Sequence, residues 1–100
     1  MSEDIVFEWD EDKRRKNLDK HGIDFLDAAQ VFVGDPLVLS SDHQGEARFV
    51  AIGQVRGIFL AVIYTMRMQR VRIISVRRAR RNERRTYDTH LSGRGLEDPQ

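Results

Sequence analysis

A chain of 100 residues is long enough for one folded domain and too short for two. It contains no cysteine, which excludes disulfide bonds, thiolate catalysis and zinc–thiolate sites. Its net charge of +1 conceals an asymmetry, because residues 1–66 carry 7 Lys and Arg against 12 Asp and Glu, whereas residues 67–100 carry 10 Arg against 4 acidic residues. No apolar run approaches the ~18 residues of a membrane span, and the acidic first residues are unlike a signal peptide, so we expect a cytoplasmic protein that does not bind membranes.

The first third of the chain predicts a short strand and two helices. Residues 5–9 have the apolar character of a strand. Asp10 predicts the N-cap of a helix, because acidic residues follow it in the first turn, and Gly22 predicts the end of that helix. This helix has a single aliphatic side chain, so we expect it on the surface. The second helix is expected over residues 25–32, and four apolar side chains share one side of it: Phe25, Ala28, Ala29 and Phe32.

The remainder of the chain predicts four strands and a C-terminal helix. The strands are expected over residues 37–39, 48–55, 58–65 and 70–76, with a polar loop over residues 40–46 and a turn over residues 66–69. Arg56-Gly57 separates the second and third of these strands, and a two-residue connection is typical of an antiparallel hairpin. The helix is expected from Arg78 to about Leu91, and residues 92–100 are expected to form a disordered tail.

These elements together predict an α+β fold with a single domain over residues 1–91. A sheet with one apolar face must bury that face against another element. The sheet is therefore expected to be antiparallel, with two N-terminal helices and one C-terminal helix packed on it.

The strand expected over residues 70–76 carries the most informative pattern. Side chains alternate between the two faces of a strand, which places Arg70 and Arg72 together. The same alternation puts Val76 on their face and Ser75 on the opposite face. We therefore expect two guanidinium groups at the rim of one sheet face.

Two further arginines flank this strand, Arg67 in the preceding turn and Arg77 directly after it. The planar guanidinium group binds phosphate through two parallel hydrogen bonds, and groups fixed on a strand suit a phosphate whose charge grows in a transition state. The basic C-terminal third therefore indicates a polyanionic partner, for which RNA is the leading candidate. The alternative that stays open is a strand edge that arginines only keep solvated.

The sequence offers no pattern for a metal site or a cofactor. His21, His43 and His90 are scattered, and no two of them have the spacing of metal ligands. Trp9 is expected to be buried or half-buried, with an edge that could stack on a base. Glu83 is expected to pair with the arginines around it on the C-terminal helix.

Several segments of the chain resemble the BrnT toxin family. They are Phe7-Glu8-Trp9-Asp10, Lys13, Asn17, Lys20-His21-Gly22, Phe25, Ala28, Phe32, Asp35-Pro36, Arg48-Phe49, Ile52-Gly53, residues 70–79, Glu83-Arg84-Arg85 and Tyr87. The resemblance spans about residues 5–88. The chain departs from the family pattern at Met66, where family members often have glutamate, and at Val76, where they often have alanine.

This resemblance implies a RelE-like fold and a ribonuclease toxin of a type II toxin-antitoxin module. The implied partners are an RNA substrate and a BrnA-type antitoxin, and operator DNA would be contacted only through the antitoxin complex. Cleavage would use the 2′-hydroxyl group of the RNA, without a metal ion or other cofactor. The expected catalytic residues are Arg67, Arg70, Arg72 and Arg77, with Lys20 or His21 transferring a proton. The expected RNA-binding residues are Trp9, Arg78 and Arg81.

Two other interpretations stay open. The chain could be a non-catalytic module of the same fold that binds nucleic acid or protein, with Met66 reflecting lost catalysis. It could also be an adaptor whose basic helix docks a protein partner only. Salt-sensitive binding to RNA separates these two interpretations.

Overall fold

A computed structural model describes residues 5–96 of the chain, with side chains described as far as Ser92. Its elements in chain order are β1 (Phe7–Trp9), α1 (Glu11–His21), α2 (Phe25–Val31), β2 (Leu37–His43), β3 (Glu46–Val55), β4 (Ile58–Arg67), β5 (Arg70–Arg78) and α3 (Arg81–Leu96). The predicted α+β class, with two helices early in the chain and one at its end, is confirmed. No helix within residues 5–96 is both long and apolar enough to cross a membrane.

The five strands form one sheet in the order β1-β5-β4-β3-β2. Strands β2 to β5 are an antiparallel meander. The expectation of a wholly antiparallel sheet is wrong for β1, which pairs in parallel with β5 at one edge. Parallel neighbours need a long crossover, and the chain between β1 and β5 supplies it through two helices and three strands.

All three hairpins of the meander turn on two residues with positive φ, the geometry that matches the twist of the flanking strands. The turns are Gln44-Gly45, Arg56-Gly57 and Met68-Gln69. The polar loop expected over residues 40–46 is therefore wrong, because β2 and β3 continue to their own tight turn. The strand predicted over residues 37–39 is therefore the first part of β2. Its polar second half was not predicted, because β2 is an exposed edge strand and that half shows no apolar alternation.

The helices α1 and α2 pack on one face of the sheet, which we call the helix face. Phe25, Ala28 and Val31 of α2 are buried in the main core there, together with side chains of β3, β4 and β5. The caps of α1 agree with the sequence, since the Asp10 carboxylate accepts the backbone N–H of residue 12 at 2.8 Å and Gly22 ends the helix at φ 71°. Helix α1 lies on the surface, as expected.

The opposite face, which we call the open face, is covered in part by α3. Tyr87 is buried against Ile52 and Ala61, and its ring meets that of Phe59 edge-on at 5.6 Å. Helix α3 begins at residue 81 rather than 78 and runs to residue 96, so residues 92–96 are helical where a disordered tail was expected. Residues 97–100 of that expected tail lie outside the described residues.

The short β1 leaves part of β5 without a strand neighbour, and Asn17 of α1 takes that place. Its side-chain oxygen accepts the backbone N–H of Val76 at 3.1 Å, and its nitrogen donates to the Val76 carbonyl at 2.9 Å and to the Ile23 carbonyl at 3.0 Å. Asn17 is the one buried residue of α1. These hydrogen bonds fix the helix against the sheet edge.

Replacing Asn17 should therefore destabilise the protein out of proportion to the apolar area involved. We expect Asn17→Ala to lower the free energy of unfolding by roughly 2–4 kcal/mol, because each buried backbone group left without a partner costs about 1–3 kcal/mol. Urea denaturation followed by circular dichroism measures this loss. The neighbouring exposed variant Asp19→Ala should stay within about 0.5 kcal/mol of wild type. Equal stability of the two variants would show that water replaces the amide without cost.

Candidate active site

A β-bulge in β5 decides which of its side chains share a face. Ile74 has no partner on β4, because the register between the strands shifts by one residue there. An extra residue reverses the alternation beyond it. Val76 therefore lies in the core of the helix face, and the prediction that it shares a face with Arg70 and Arg72 is wrong. Arg77, which strict alternation would separate from these two arginines, lies on the open face with them.

Three arginines meet on the open face at the end of the sheet near the β4–β5 turn. Arg67 lies directly opposite Arg70 in the register of β4 and β5, and Arg72 lies two residues farther along β5. Like charges directly opposite each other on a sheet are destabilising. Within the described part of the chain, the side chain of Arg67 has no hydrogen bond or ion pair, so its guanidinium group is available to an anion.

Glu8 is the carboxylate among these cations. It is the register partner of Arg72 in the parallel pairing of β1 and β5. One of its carboxylate oxygens lies 3.3 Å from Nη1 of Arg72 and the other lies 3.6 Å from Nη1 of Arg70. Its side chain is only 27% exposed. We call Glu8, Arg67, Arg70 and Arg72 the arginine cluster.

The remaining predicted phosphate ligand, Arg77, is already engaged by Glu83 of α3. Two parallel hydrogen bonds of 2.8 and 2.9 Å join its guanidinium group to the carboxylate. The same carboxylate accepts the backbone N–H of Arg80 at 2.8 Å at the start of α3. The hydrogen bonds from Arg77 hold the pKa of Glu83 below its usual range, and in turn they raise the pKa of Arg77. The prediction that Glu83 pairs within its own helix is therefore wrong, and the pair instead fastens α3 to β5.

Lys20 and His21 lie apart from the arginine cluster. Both line a surface cleft of about 230 Å³ between α1 and the edge of β5, together with Ser75. No hydrogen bond or ion pair within residues 5–96 links either side chain to the cluster. The side chains of Lys13 and Lys16 border the same cleft, so it has a basic wall.

The three residues expected to bind RNA are also distributed away from the cluster. Trp9 is half-buried on the helix face, where its ring meets that of Phe25 edge-on at 6.0 Å. Arg78 lines a different cleft, next to His21. Arg81 is exposed at the start of α3. The structure therefore does not bring Trp9 to the arginines.

The residue that the sequence did not single out is Glu8. The alternation of Phe7, Glu8 and Trp9 places the carboxylate on the face opposite the two rings, and this signal was available in the sequence. Its significance depended on the parallel pairing of β1 with β5, which the sequence did not indicate. Among residues 5–96, no group of three or more His, Asp or Glu is arranged to hold a metal ion.

Comparison with known proteins agrees with this architecture. A family model described as the ribonuclease toxin BrnT of type II toxin-antitoxin systems matches residues 9–83. The chain belongs to the BrnT family. It is also similar to the Brucella abortus ribonuclease toxin BrnT, whose crystal structure shares 33% sequence identity and a TM-score of 0.65 over 78% of this chain and 100% of that chain. No curated protein sequence matches the chain.

Membership of the BrnT family confirms the resemblance drawn from the sequence and makes the chain a ribonuclease toxin of the type II toxin-antitoxin class. The structure shows on which face of the sheet position 66 lies, where this chain has methionine and family members often have glutamate. Met66 lies opposite Val71 in the sheet register, and Val71 belongs to the core of the helix face. Position 66 therefore points away from the face that holds the arginine cluster.

The attachment of α3 through Glu83 should depend on pH. We expect Glu83→Gln to lower the free energy of unfolding at pH 7 by about 1.5–3 kcal/mol, the range for a hydrogen bond to a charged group. Because the pKa of Glu83 is lowered in the folded state, its contribution is complete above the unfolded value of about 4.3 and is lost as pH falls through the folded value. Urea denaturation should show that the free energies of unfolding of wild type and Glu83→Gln differ less at pH 3 than at pH 7.

A matched control is Glu46→Gln, because Glu46 also pairs with an arginine, Arg48, but is 45% exposed. Its effect should stay below about 1 kcal/mol at both pH values. A difference between wild type and Glu83→Gln that grew in acid would contradict the assignment of the ion pair.

Proposed function

We propose that this BrnT-family protein is an RNA endonuclease toxin that acts in the cytoplasm and cleaves RNA at the arginine cluster. The observation that carries this proposal is the placement of Arg67, Arg70 and Arg72 on one partly open sheet face with a single carboxylate among them. Excess positive charge fixed on strands costs stability unless an anion binds there. A phosphodiester of the RNA backbone supplies that anion.

The proposed reaction takes its nucleophile from the substrate. The 2′-oxygen of the ribose forms a bond to phosphorus, the bond from phosphorus to the 5′-oxygen breaks, and the product ends in a 2′,3′-cyclic phosphate. The protein then has to align the backbone and stabilise the charge that develops on the phosphoryl oxygens. Guanidinium groups on β4 and β5 are suited to this task because the sheet keeps them in place before the reaction begins. No metal ion is required in this scheme.

Residues outside the cluster would bind the flanking RNA. Lys20 and His21, in the basic cleft at the β5 edge, would contact the backbone rather than the scissile phosphate, since they lie apart from the cluster. Ser75 of that cleft follows Arg72 by three residues, about 10 Å along a strand. Arg78 and Arg81, both exposed, would add long-range attraction to RNA.

The proposed protein partner is a BrnA-type antitoxin that neutralises the toxin by binding it directly. Support comes from the type II class of the family, in which toxin and antitoxin form a module. The complex would reach operator DNA through the antitoxin.

A second candidate function is favoured by one observation, the methionine at position 66 in place of the family glutamate. If that glutamate is needed for cleavage, this chain would bind RNA through the arginine cluster without cutting it. The location of position 66 on the other face argues against its direct contact with the scissile phosphate.

Expression of the chain alone should arrest bacterial growth, and co-expression of its antitoxin should relieve the arrest. The reason is that a ribonuclease without its inhibitor depletes cellular RNA. Growth curves and viable counts after induction provide the measurement, with Arg72→Ala as a variant expected to be harmless. Normal growth with abundant folded wild-type protein would favour the non-catalytic module.

Cleavage should proceed in the presence of EDTA and should depend on Arg72. Loss of one fixed donor to developing charge costs about 10²–10³ in rate, so we expect a loss of that size for Arg72→Ala in single-turnover cleavage. Arg72→Lys should restore only part of it, because an ammonium group cannot form the two parallel hydrogen bonds of a guanidinium group. Arg85→Ala, an exposed residue of α3, is the matched control and should cost far less.

End-group analysis of the products completes this test. The expected products carry a 2′,3′-cyclic phosphate or a 3′-phosphate. Activity that EDTA abolishes and Mg²⁺ restores, with 5′-phosphate products, would contradict this mechanism. The protein would then be a nuclease that depends on a metal ion.

A further inference from the structure

Glu8 occupies an unusual position for a carboxylate in a site that attracts anions. It lies on the short edge strand β1, and its parallel register with β5 sets it beside Arg72. Each oxygen contacts a different arginine, at 3.3 and 3.6 Å. The negative charge of a carboxylate at this point opposes phosphate binding. Its presence therefore indicates a role other than raising the affinity for RNA.

The contacts of Glu8 leave the arginines free for a substrate. Arg70 and Arg72 each direct one terminal nitrogen, Nη1, at the carboxylate. A guanidinium group has five N–H donors, so each side chain keeps donors for a phosphate. A phosphate held by those donors would lie next to the Glu8 carboxylate, with the adjoining ribose within reach of it.

The other carboxylate that pairs with a β5 arginine, that of Glu83, and the imidazole of His21 are located outside the cluster. Within residues 5–96, Glu8 is the only carboxylate with a hydrogen bond or ion pair to Arg67, Arg70 or Arg72. Glu83 is held by Arg77 and by the start of α3. His21 lines the cleft at the β5 edge, outside the cluster.

From these observations, and resting on the proposed RNA cleavage, we propose that Glu8 is the general base that takes the proton from the attacking 2′-hydroxyl group. As the 2′-oxygen bonds to phosphorus, its proton passes to the Glu8 carboxylate. The bond between phosphorus and the 5′-oxygen breaks, and the leaving oxygen takes a proton from solvent water. Glu8 then returns its proton to solvent, so the enzyme ends the cycle unchanged.

A general base at Glu8 would also account for proton transfer in a chain that has Met66 in place of the family glutamate. A proton acceptor on β1 lies on the same face as the arginines, whereas position 66 lies on the other face. The chain therefore retains a carboxylate for proton transfer although it carries Met66. The charged groups that face Glu8 are Arg70 and Arg72 on β5, with Arg67 on β4 next to Arg70.

The test is the variant Glu8→Gln, which keeps the size of the side chain and its hydrogen-bonding oxygen but removes the base. Single-turnover cleavage of an RNA oligonucleotide should fall by about 10²–10⁴-fold, the usual contribution of a general base. Binding of the same oligonucleotide with 2′-deoxyribose at the cleavage site, which cannot react, should be unchanged or tighter, because one negative charge has been removed. The rise of rate with pH on the acidic side of the wild-type profile should disappear in the variant.

Each result of this experiment separates one hypothesis from another. The control Asp27→Asn, whose carboxylate pairs with Arg56 at the β3–β4 turn at the other end of the sheet, should cleave like wild type. If Glu8→Gln cleaved at the wild-type rate, the general-base role would be wrong and the arginine mechanism would stand. If the variant lost binding to the unreactive oligonucleotide together with cleavage, Glu8 would only position the arginines, and the inference would be overturned. A wild-type protein that binds this RNA but never cuts it would overturn both proposals.

Discussion

At Ile74, strand β5 carries one residue more than its neighbour β4, and this bulge sets the direction of every side chain that follows it. Without the extra residue, Val76 would face α3 and Arg77 would be directed into the apolar core. With it, Val76 is fully buried under the helices, and Arg77 reaches Glu83 on the other side. The core, the attachment of α3 and the orientation of β5 therefore depend on one local irregularity of the sheet.

The two faces of the sheet differ in composition, since one carries most of the apolar core and the other carries the arginine cluster. The helix face holds most of the buried apolar side chains, and there the rings of β1, β3 and β4 contact one another or Phe32, which follows α2. The open face has a smaller apolar contact around Tyr87 and leaves the end of the sheet near the β4–β5 turn to charged side chains. Stability thus comes chiefly from one face, so the other face tolerates a concentration of arginines.

That concentration has an energetic cost which the structure offsets only in part. Arg67 faces Arg70 directly, and a pair of like charges in this position disfavours the folded state. Glu8 compensates two of the three arginines, and the partly exposed pairing leaves the cluster with a positive excess. Sites that bind charged substrates commonly violate local rules of stability in this way.

The sequence alone determined the features that depend on neighbouring residues. The caps of α1 and the Arg56-Gly57 turn follow from short-range backbone chemistry. The buried side of α2 follows from its period, and the family follows from motifs spread along the chain. Tertiary structure decided what depends on residues distant in sequence. The parallel pairing of β1 brought Glu8 to Arg72 across 64 positions. The bulge moved Val76 and Arg77 between faces, and Glu83 pairs with Arg77 of β5 rather than with an arginine of its own helix. Alternation and helical period are local rules, and they hold only until a change of register or a partner from another strand alters the face on which a side chain lies.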